Sequence, residues 1–103
     1  MWNCRTGRAL HFEWDEEKAE ANYAKHGVSF EDAVEVFLDP YRLEAMDERF
    51  NYGEERLTVL GMVQLDVLFV VATERAGDAL RVISARRATR QEQRAYFLHR
   101  ADI

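Results

Sequence analysis

The chain carries a set of arginines whose chemistry suits a clamp for phosphate groups. A guanidinium group presents a planar fork that matches two phosphate oxygens, and it keeps its charge near neutral pH. Most of these arginines stand near the ends of segments with strand character, which would place them at the rim of a sheet. Residue type alone leaves open a solvated, arginine-rich surface as the alternative. The set comprises Arg75, Arg81, Arg86, Arg87 and Arg90.

A second group places acids directly before an arginine. Glu54, Glu55 and Arg56 are consecutive at the predicted entry to a strand. An acid in this position can accept a proton beside a phosphate clamp, or it can form a surface ion pair that contributes little to stability. The sequence does not separate these two interpretations.

A third group lies on a predicted helix. Lys18 and Asn22 are separated by four residues and Lys18 and Lys25 by seven, so with His26 they share one helical face. Two cations on one face repel each other unless an anion neutralises them, which would suit phosphate binding. A solvated face with cations at the C-terminal end of the helix is the alternative.

Neither metal binding nor cysteine chemistry is predicted. His11, His26 and His99 are far apart in the sequence, and no pair of ligands has the spacing of a metal motif. Cys4 is the only cysteine, so an internal disulfide is impossible, and it has no evident base beside it. We therefore expect no cofactor and no metal site.

Length and composition predict a single soluble domain. The chain has 103 residues, of which 48% are apolar and 32% charged, as in a folded globular protein. The longest apolar run, residues 67–72, is far shorter than the ~18 residues of a membrane helix, so no membrane association is expected. No apolar segment typical of a secretion signal is present near Met1, and a cytoplasmic protein is expected.

The net charge of -5 hides an asymmetry between the two halves of the chain. Residues 1–55 carry 6 basic and 14 acidic side chains, whereas residues 56–103 carry 8 basic, all arginine, and 5 acidic. Within residues 80–101, six arginines accompany a single acid, Glu92. Such a molecule can meet a polyanion with one side.

Spacing and end signals predict the elements that position these residues. Asp15 and Gly27 bound a first helix, Ser29 and Asp39 a second, and the capping box of Thr89 and Glu92 opens a third. The predicted strands cover residues 12–14, 41–46, 56–62, 66–75 and 80–86. The fold class is therefore α+β: a short N-terminal strand, two helices, an antiparallel sheet of three to four strands, and a C-terminal helix.

Two finer predictions concern side-chain direction. Straight alternation along the last strand puts Arg81, Ile83 and Ala85 on one face, opposite the face of Val82, Ser84 and Arg86. In the last helix, an inner face of Ala95, Phe97 and Leu98 is expected.

Taken together, these segments resemble the family of BrnT toxins. The first half of the resemblance is the run Phe12-Glu13-Trp14-Asp15, then Lys18, Asn22, the run Lys25-His26-Gly27, Phe30, Ala33 and Phe37. The second half is Glu55-Arg56, Gly61, Thr73, Arg75, the run Arg81-Val82-Ile83-Ser84-Ala85-Arg86, Ala88, Glu92 and Tyr96. The motifs begin at Phe12, so we expect residues 12–103 to form a single BrnT-like toxin domain and residues 1–11 to be an N-terminal extension.

The resemblance implies the toxin half of a type II toxin–antitoxin pair. Members are endoribonucleases with a RelE-like fold, and their action on RNA stops translation. The implied partners are RNA and a cognate BrnA-type antitoxin, which neutralises the toxin and carries the DNA-binding part of the complex. Contact with operator DNA is therefore expected only through the antitoxin.

Metal-independent cleavage needs a base, an acid and cations around the scissile phosphate. A histidine has the more suitable intrinsic pKa for the acid–base role, whereas a glutamate would need its pKa raised by burial. Either His26 or Glu55 is expected in that role. The predicted catalytic residues are His26, Glu55, Arg56, Arg81 and Arg86, and the predicted RNA-binding residues are Lys18, Lys25, Arg75, Arg87 and Arg90.

Two other functions use the same residues. The chain could be an RNA-binding module without catalysis, or an inactive homologue that regulates its operon through the antitoxin complex. RNA that is bound in a salt-dependent manner and left uncut would favour these alternatives over a ribonuclease.

Overall fold

The computed structural model describes residues 11–47, 56–75 and 78–101. The helices are α1 (Glu16–His26), α2 (Phe30–Ala33), a 3-10 helix (Val34–Leu38) that continues α2, and α3 (Arg90–Ala101). The strands are β1 (His11–Glu13), β2 (Leu43–Asp47), β3 (Arg56–Val63), β4 (Asp66–Arg75) and β5 (Ala79–Arg87). The element order is the predicted one, and the α+β class is confirmed.

The strands form one mixed sheet in the order β1-β5-β4-β3-β2. Strands β2 to β5 are antiparallel neighbours, and β1 adds to the edge of β5 in parallel, pairing only with residues 79–81. The prediction of three to four antiparallel strands was therefore incomplete. The N-terminal strand belongs to the same sheet: the helices carry the chain from β1 to β2 at the opposite edge, and the antiparallel strands β2 to β5 then bring it back beside β1.

One face of the sheet is packed under α1, α2 and the 3-10 helix, and we call it the helix-covered face. Its core is apolar and almost fully buried, since alternate residues of each strand point to this side. The largest contributors include Phe30, Val36, Val59, Val70 and Leu80. Burial of such side chains contributes about 1.5–3 kcal/mol each relative to exposure, so this face supplies most of the stability.

The predicted helix ends are confirmed by their hydrogen bonds. Asp15 accepts from the backbone N–H groups of Glu17 and Lys18, and Ser29 accepts from that of Asp32. Gly27 closes α1 with a φ of 71°, a left-handed conformation that glycine adopts without strain. These caps place the short connection between α1 and α2 at one end of the sheet.

The second helix departs from the prediction after its first turn. It changes from α to 3-10 geometry at Val34, so Val36 as well as Phe37 enters the core. The tighter helix lies directly on Gly61 of β3, where an added Cβ would come within 2.8 Å of the Val36 Cβ and 3.1 Å of its carbonyl oxygen. Glycine is therefore required at this position by close approach of the two elements.

The C-terminal helix packs through a different residue from those predicted. Tyr96 is fully buried, with Val67, Ala88, Leu60 and Met62 around it. The predicted inner face was wrong: the structure leaves Ala95, Phe97 and Leu98 exposed.

An aspartate ties α3 to the end of the 3-10 helix. The Asp39 carboxylate accepts hydrogen bonds from the Tyr96 hydroxyl at 2.5 Å and from the backbone N–H groups of Met62 at 2.8 Å and Tyr41 at 2.9 Å. Burial, together with the bond to Asp39, raises the pKa of Tyr96 to about 12. The phenol therefore stays protonated and keeps donating across the physiological range.

A β-bulge in β5 overturns the predicted alternation of that strand. Val82 pairs with Ala72 and Ser84 pairs with Val71, which leaves Ile83 as an extra residue between them. The strand pattern therefore shifts by one after Val82. As a result Arg81 and Arg86, predicted on opposite faces, project from the same face.

Among the described residues, no helix has both the length and the apolar character required to span a membrane.

Candidate functional site

One row of side chains crosses all five strands on the face opposite the helix-covered face. Residues that pair directly across strands project from the same side of a sheet. The neighbours of this row along each strand, such as Leu57, Ala72 and Leu80, belong to the buried side. In strand order, the row runs through Glu13, Arg81, Thr73, Arg56 and Asp47.

Two arginines flank a threonine at the centre of this row. Strands lie about 4.8 Å apart, so the backbones of Arg56 and Arg81 are about 10 Å apart across β4. Thr73, between them, is only 1% exposed. An arginine side chain is long enough to span half of that separation, so both guanidinium groups can reach one phosphate above Thr73 if Arg81 turns towards β4.

Arg81 has an acidic neighbour at the edge of the sheet. Its Nε and Nη2 donate to the same oxygen of Glu13, at 3.1 Å and 3.0 Å. Both side chains are more than 40% exposed, so solvent screens the pair and its net contribution to stability is small. Glu13 therefore sets the direction of Arg81 more than it stabilises the fold.

Arg86 projects from the same face as Arg81, close to the C-terminal end of β5. Its guanidinium lies 4.3 Å above the ring of Phe69, its direct partner on β4. Nη1 and Nη2 donate to the two oxygens of Glu92 at 2.8 Å and 3.0 Å. This hydrogen-bonded pair raises the pKa of Arg86 and lowers that of Glu92, in spite of partial burial.

Alternation along β4 adds Arg75, an exposed residue two positions after Thr73. We call the surface formed by Arg56, Arg75, Arg81 and Arg86 the arginine face. The hydroxyl groups of Thr58 and Ser84 lie in the next row, paired across Val71. The face thus combines cations, hydroxyl groups and one aromatic ring.

The structure does not bring every predicted residue to this face. Arg87 follows Arg86 and points to the helix-covered side, where it lies 3.8 Å from Asp66 and donates to the backbone oxygen of His26 at 3.5 Å. His26 ends α1 on that side. The catalytic role predicted for His26 and the RNA-binding role predicted for Arg87 stay predictions. Neither is supported by proximity to the other arginines.

The remaining predicted residues are peripheral or lie outside the described part of the chain. Lys18 and Lys25 are exposed on α1, and Arg90 is exposed at the first position of α3. Glu55, with Glu54, falls outside the described residues, as does Cys4. Glu55 is adjacent in sequence to Arg56, and its role remains a prediction.

Asn22, grouped above with the cations of α1, has a structural role. It is buried, donates from Nδ2 to the carbonyl oxygens of Val28 at 3.1 Å and Ala85 at 2.8 Å, and accepts from the N–H of Ala85 at 3.2 Å. Because β1 pairs only with residues 79–81, Asn22 takes the place of a strand partner for β5 just beyond the bulge. It thereby fixes the part of β5 that carries Arg86.

Two acidic residues of the site were not predicted. Glu13 was assigned to a short strand and Glu92 to a helix cap; both were also part of the family resemblance, but neither was named as a site residue. The cap is confirmed, since Thr89 and Glu92 exchange hydrogen bonds of 2.9 Å and 3.1 Å. The sequence did contain a signal that Glu92 also pairs with an arginine: it is the only acid among six arginines in residues 80–101.

The arrangement defines a sheet surface suited to binding a phosphate-bearing polymer. Guanidinium groups bind the backbone, and an exposed aromatic ring or an arginine plane can stack on a base. Within residues 11–47, 56–75 and 78–101, no three His, Cys, Asp or Glu side chains are grouped in a way that could hold a metal ion.

Comparison with known proteins identifies the family. The sequence model of a family described as "Ribonuclease toxin, BrnT, of type II toxin-antitoxin system" matches residues 14–92, which is most of the chain. The chain therefore belongs to the BrnT family of ribonuclease toxins. The predicted resemblance is confirmed.

A solved structure supports the same assignment. The chain is similar to the ribonuclease toxin BrnT of Brucella abortus, whose crystal structure was determined at 1.1 Å resolution. The TM-score is 0.61 and the sequence identity 31%, over 80% of this chain and 100% of the Brucella chain. No curated protein sequence gives a significant match.

Proposed function

We propose that the chain is a metal-independent endoribonuclease that cleaves RNA, inhibits translation and is neutralised by a cognate BrnA-type antitoxin. Membership of the BrnT family supports the ribonuclease class. The observation that carries the proposal is the row in which Arg56 and Arg81 flank the buried Thr73 on the arginine face. Phosphate chemistry without a metal needs such fixed cations.

The reaction would be attack of a ribose 2′-oxygen on the adjacent phosphorus. The 2′-hydroxyl proton goes to a general base, the bond from phosphorus to the 5′-oxygen breaks, and a general acid protonates that oxygen. The products are a 2′,3′-cyclic phosphate and a 5′-hydroxyl end. Arg56 and Arg81 stabilise the charge that develops on the phosphate oxygens, and such electrostatic stabilisation is commonly the largest contribution to catalysis.

For the acid–base steps, we propose Glu55 before His26. Glu55 precedes Arg56 directly in the sequence, whereas His26 ends α1 on the other side of the sheet. Glu13 is a further carboxylate that contacts Arg81 on the arginine face. The acid–base pair is therefore sought first among carboxylates.

The remaining arginines would bind the flanking nucleotides. Arg75 and Arg86 extend the arginine face beyond the central row, and the exposed Arg90 continues from its border at the start of α3. Lys18, Lys25 and Arg87, on the α1 side, would contact only an RNA long enough to pass around the edge of β5. Their contribution to binding is accordingly expected to be smaller.

The partner proposal follows from the family, since a type II toxin implies an antitoxin. A BrnA-type antitoxin would neutralise the toxin by covering the arginine face, and operator DNA would be contacted only through it. The first half of the chain is acidic and is not needed to attract RNA, so it can contact basic segments of the antitoxin. We further propose a RelE-like relationship of the fold, a single toxin domain over residues 12–103 after an extension at residues 1–11, and a cytoplasmic site of action.

The test is incubation of the purified protein with a defined RNA in the presence of EDTA. Cutting that leaves 2′,3′-cyclic phosphate ends is expected, with strong loss in Glu55→Ala and a smaller loss in His26→Ala. Cutting that requires added metal would contradict the proposed mechanism. RNA that is bound but never cut would favour a non-catalytic RNA-binding or operon-regulating homologue.

A further inference from the structure

Arg86 is held in one orientation from three directions. The ring of Phe69 lies below its guanidinium plane at 4.3 Å. Glu92 accepts from Nη1 and Nη2, and the carbonyl oxygen of Arg87 accepts from Nη1 at 3.2 Å. An arginine constrained in this manner has far fewer orientations than one that extends into solvent, so it is prepared for a ligand in advance.

The hydrogen bonds leave one edge of the guanidinium group available. A guanidinium has five N–H donors. Glu92 and the Arg87 carbonyl engage Nη1 and one N–H of Nη2, and neither Nε nor the other N–H of Nη2 of Arg86 donates to another described residue. The edge formed by Nε and Nη2 has the spacing that matches two oxygens of a phosphate.

Glu92 is itself immobilised by the start of α3. Its Oε1 accepts from the backbone N–H of Thr89 at 2.9 Å, and its own N–H donates to the Thr89 hydroxyl at 3.1 Å. The carboxylate that orients Arg86 is therefore part of a helix cap and does not swing away. A negative charge at this point also opposes the approach of RNA, so it is expected to help orientation and not raw affinity.

We propose that Glu92 is a positioning residue: with Phe69 below, it holds Arg86 so that the Nε and Nη2 edge binds a phosphate of the RNA substrate. This inference rests on the proposed ribonuclease function and deepens it. Loss of the Glu92 charge should lower kcat while leaving RNA affinity unchanged or slightly stronger. A purely structural role of Glu92 would not separate the two quantities.

The main variant is Glu92→Gln. Glutamine still fits the capping box, so the start of α3 is preserved, but one of the two charged acceptors for Arg86 is lost. We expect kcat to fall roughly 10–100-fold, since small misplacement of a binding group has effects of this size. KM should stay within about twofold of the wild-type value or decrease.

The matched control is Gln93→Ala, which removes the hydrogen bond from Gln93 Nε2 to the carbonyl oxygen of Ala88 at the start of the same helix and leaves the capped Glu92 beside Arg86. Loss of this bond is expected to lower Tm by about 2–8 °C in a domain of this size. At a temperature where both proteins are folded, kcat of Gln93→Ala should remain within about twofold of the wild type. Loss of activity in this control would make the effect one of helix stability.

A double-mutant cycle tests whether Glu92 acts through Arg86. Arg86→Ala removes the fork, and Arg86→Lys keeps the charge without the fork, so both should lower kcat. Adding Glu92→Gln to Arg86→Ala should cause no further loss in kcat, because the group to be positioned is absent. Losses that multiply, or a Glu92→Gln protein with wild-type kcat, would overturn the proposal.

Binding separates failure of this proposal from failure of the proposed function. If the wild-type protein does not cut RNA, the ribonuclease assignment fails, and 2′-O-methyl RNA, which cannot be cut by this route, still reports on Arg86. Arg86→Ala should then reduce the slope of log affinity against log salt by about 0.7, as expected for one phosphate contact on a single strand. An unchanged slope in Arg86→Ala would overturn the phosphate contact whatever the activity of the protein.

Discussion

The two faces of the sheet are built from alternate residues of the same strands, yet they differ in character. One is almost entirely packed, whereas the other combines a region packed under Tyr96 of α3 with the cations of the arginine face. The helix-covered face holds Val59 and Val70 without exposure, under Phe30 of α2. The arginine face carries its guanidinium groups within reach of solvent and of a ligand. Strand alternation, shifted by the bulge in β5, puts the main core and the phosphate-binding cations on opposite sides of the sheet. Substitutions on the helix-covered face and on the arginine face should therefore have separable effects.

The bulge at Ile83 is what makes the division complete. Without it, Arg81 and Arg86 would lie on opposite faces of β5, and one of them would enter the apolar core. Bulges are known to redirect side chains in this manner next to functional sites. In this chain the bulge also sends Arg87 to the other side, so two consecutive arginines belong to different faces.

The largest expected effect is a difference in RNA cleavage between an arginine substitution on the arginine face and one on the helix-covered face. Arg81→Ala should lower kcat/KM for RNA cleavage roughly 10²–10³-fold, because it removes a fixed cation from the phosphate site. Arg87→Ala should lower it by roughly threefold or less, since its side chain points away from that site. Cleavage kinetics in EDTA on identically purified proteins would measure both.

One outcome would contradict this prediction. If Arg87→Ala were as damaging as Arg81→Ala while circular dichroism showed both to be folded, the arginine face would not be the site of cleavage. Arg94→Ala, an exposed arginine of α3 without an assigned role, serves as the control for general loss of positive charge.

Asn22 provides a test of stability on the side of the sheet that α1 covers. Asn22→Leu should destabilise the protein by about 3 kcal/mol, because it leaves buried N–H and carbonyl groups of β5 and the Val28 carbonyl without partners. Urea unfolding gives the free energy directly. Lys18→Ala, on the same helix but exposed, should change it by less than about 0.5 kcal/mol. Equal stability of Asn22→Leu and the wild type would remove the strand-partner role.

The next largest effect on stability is expected at Gly61, where β3 lies against the 3-10 helix. Gly61→Val should lower the unfolding free energy by about 1–3 kcal/mol, because its side chain would meet Val36 of the 3-10 helix. Leu65→Ser, at a turn position that is 93% exposed, is the control and should be nearly neutral. Thermal unfolding of the pair would distinguish them. A neutral Gly61→Val would show that the 3-10 helix moves away from β3 without loss.

The smallest effect concerns pH and the contact between Tyr96 and Asp39. An unfolded tyrosine has a pKa of about 10, and the folded value is raised to about 12. The contribution is therefore complete below about pH 10 and is lost as the pH rises towards about 12. The stability difference between the wild type and Tyr96→Phe should shrink between about pH 10 and about pH 12. A constant difference would contradict the raised pKa.

Much of the fold was predictable because its signals are local. The helix ends at Asp15, Gly27, Ser29 and Thr89 each depend on a residue type suited to a cap, and every one of them is confirmed. The strands were visible as alternating or continuous apolar runs. The parallel return of β1 was not predicted, because it depends on a contact between residues almost seventy positions apart.

The site was less predictable, for physical reasons. Arg56, Arg81 and Arg86 were selected by residue type, which is a property of the sequence. Their common face depends on a bulge, and a bulge leaves no mark in the apolar pattern when its extra residue is Ile83, itself a good strand former. The pairing of Glu92 with Arg86 joins a helix cap to a strand end, and neither local signal implies the other.

The most direct test is to observe which arginines bind RNA. Arginine Nε–H signals of the ¹⁵N-labelled protein would be recorded by NMR during titration with 2′-O-methyl RNA, and assigned with the single Arg→Ala variants. We predict that the signals of Arg56, Arg81 and Arg86 shift together while that of Arg87 does not. Shifts centred on Arg87, with the three signals of the arginine face unchanged, would contradict it.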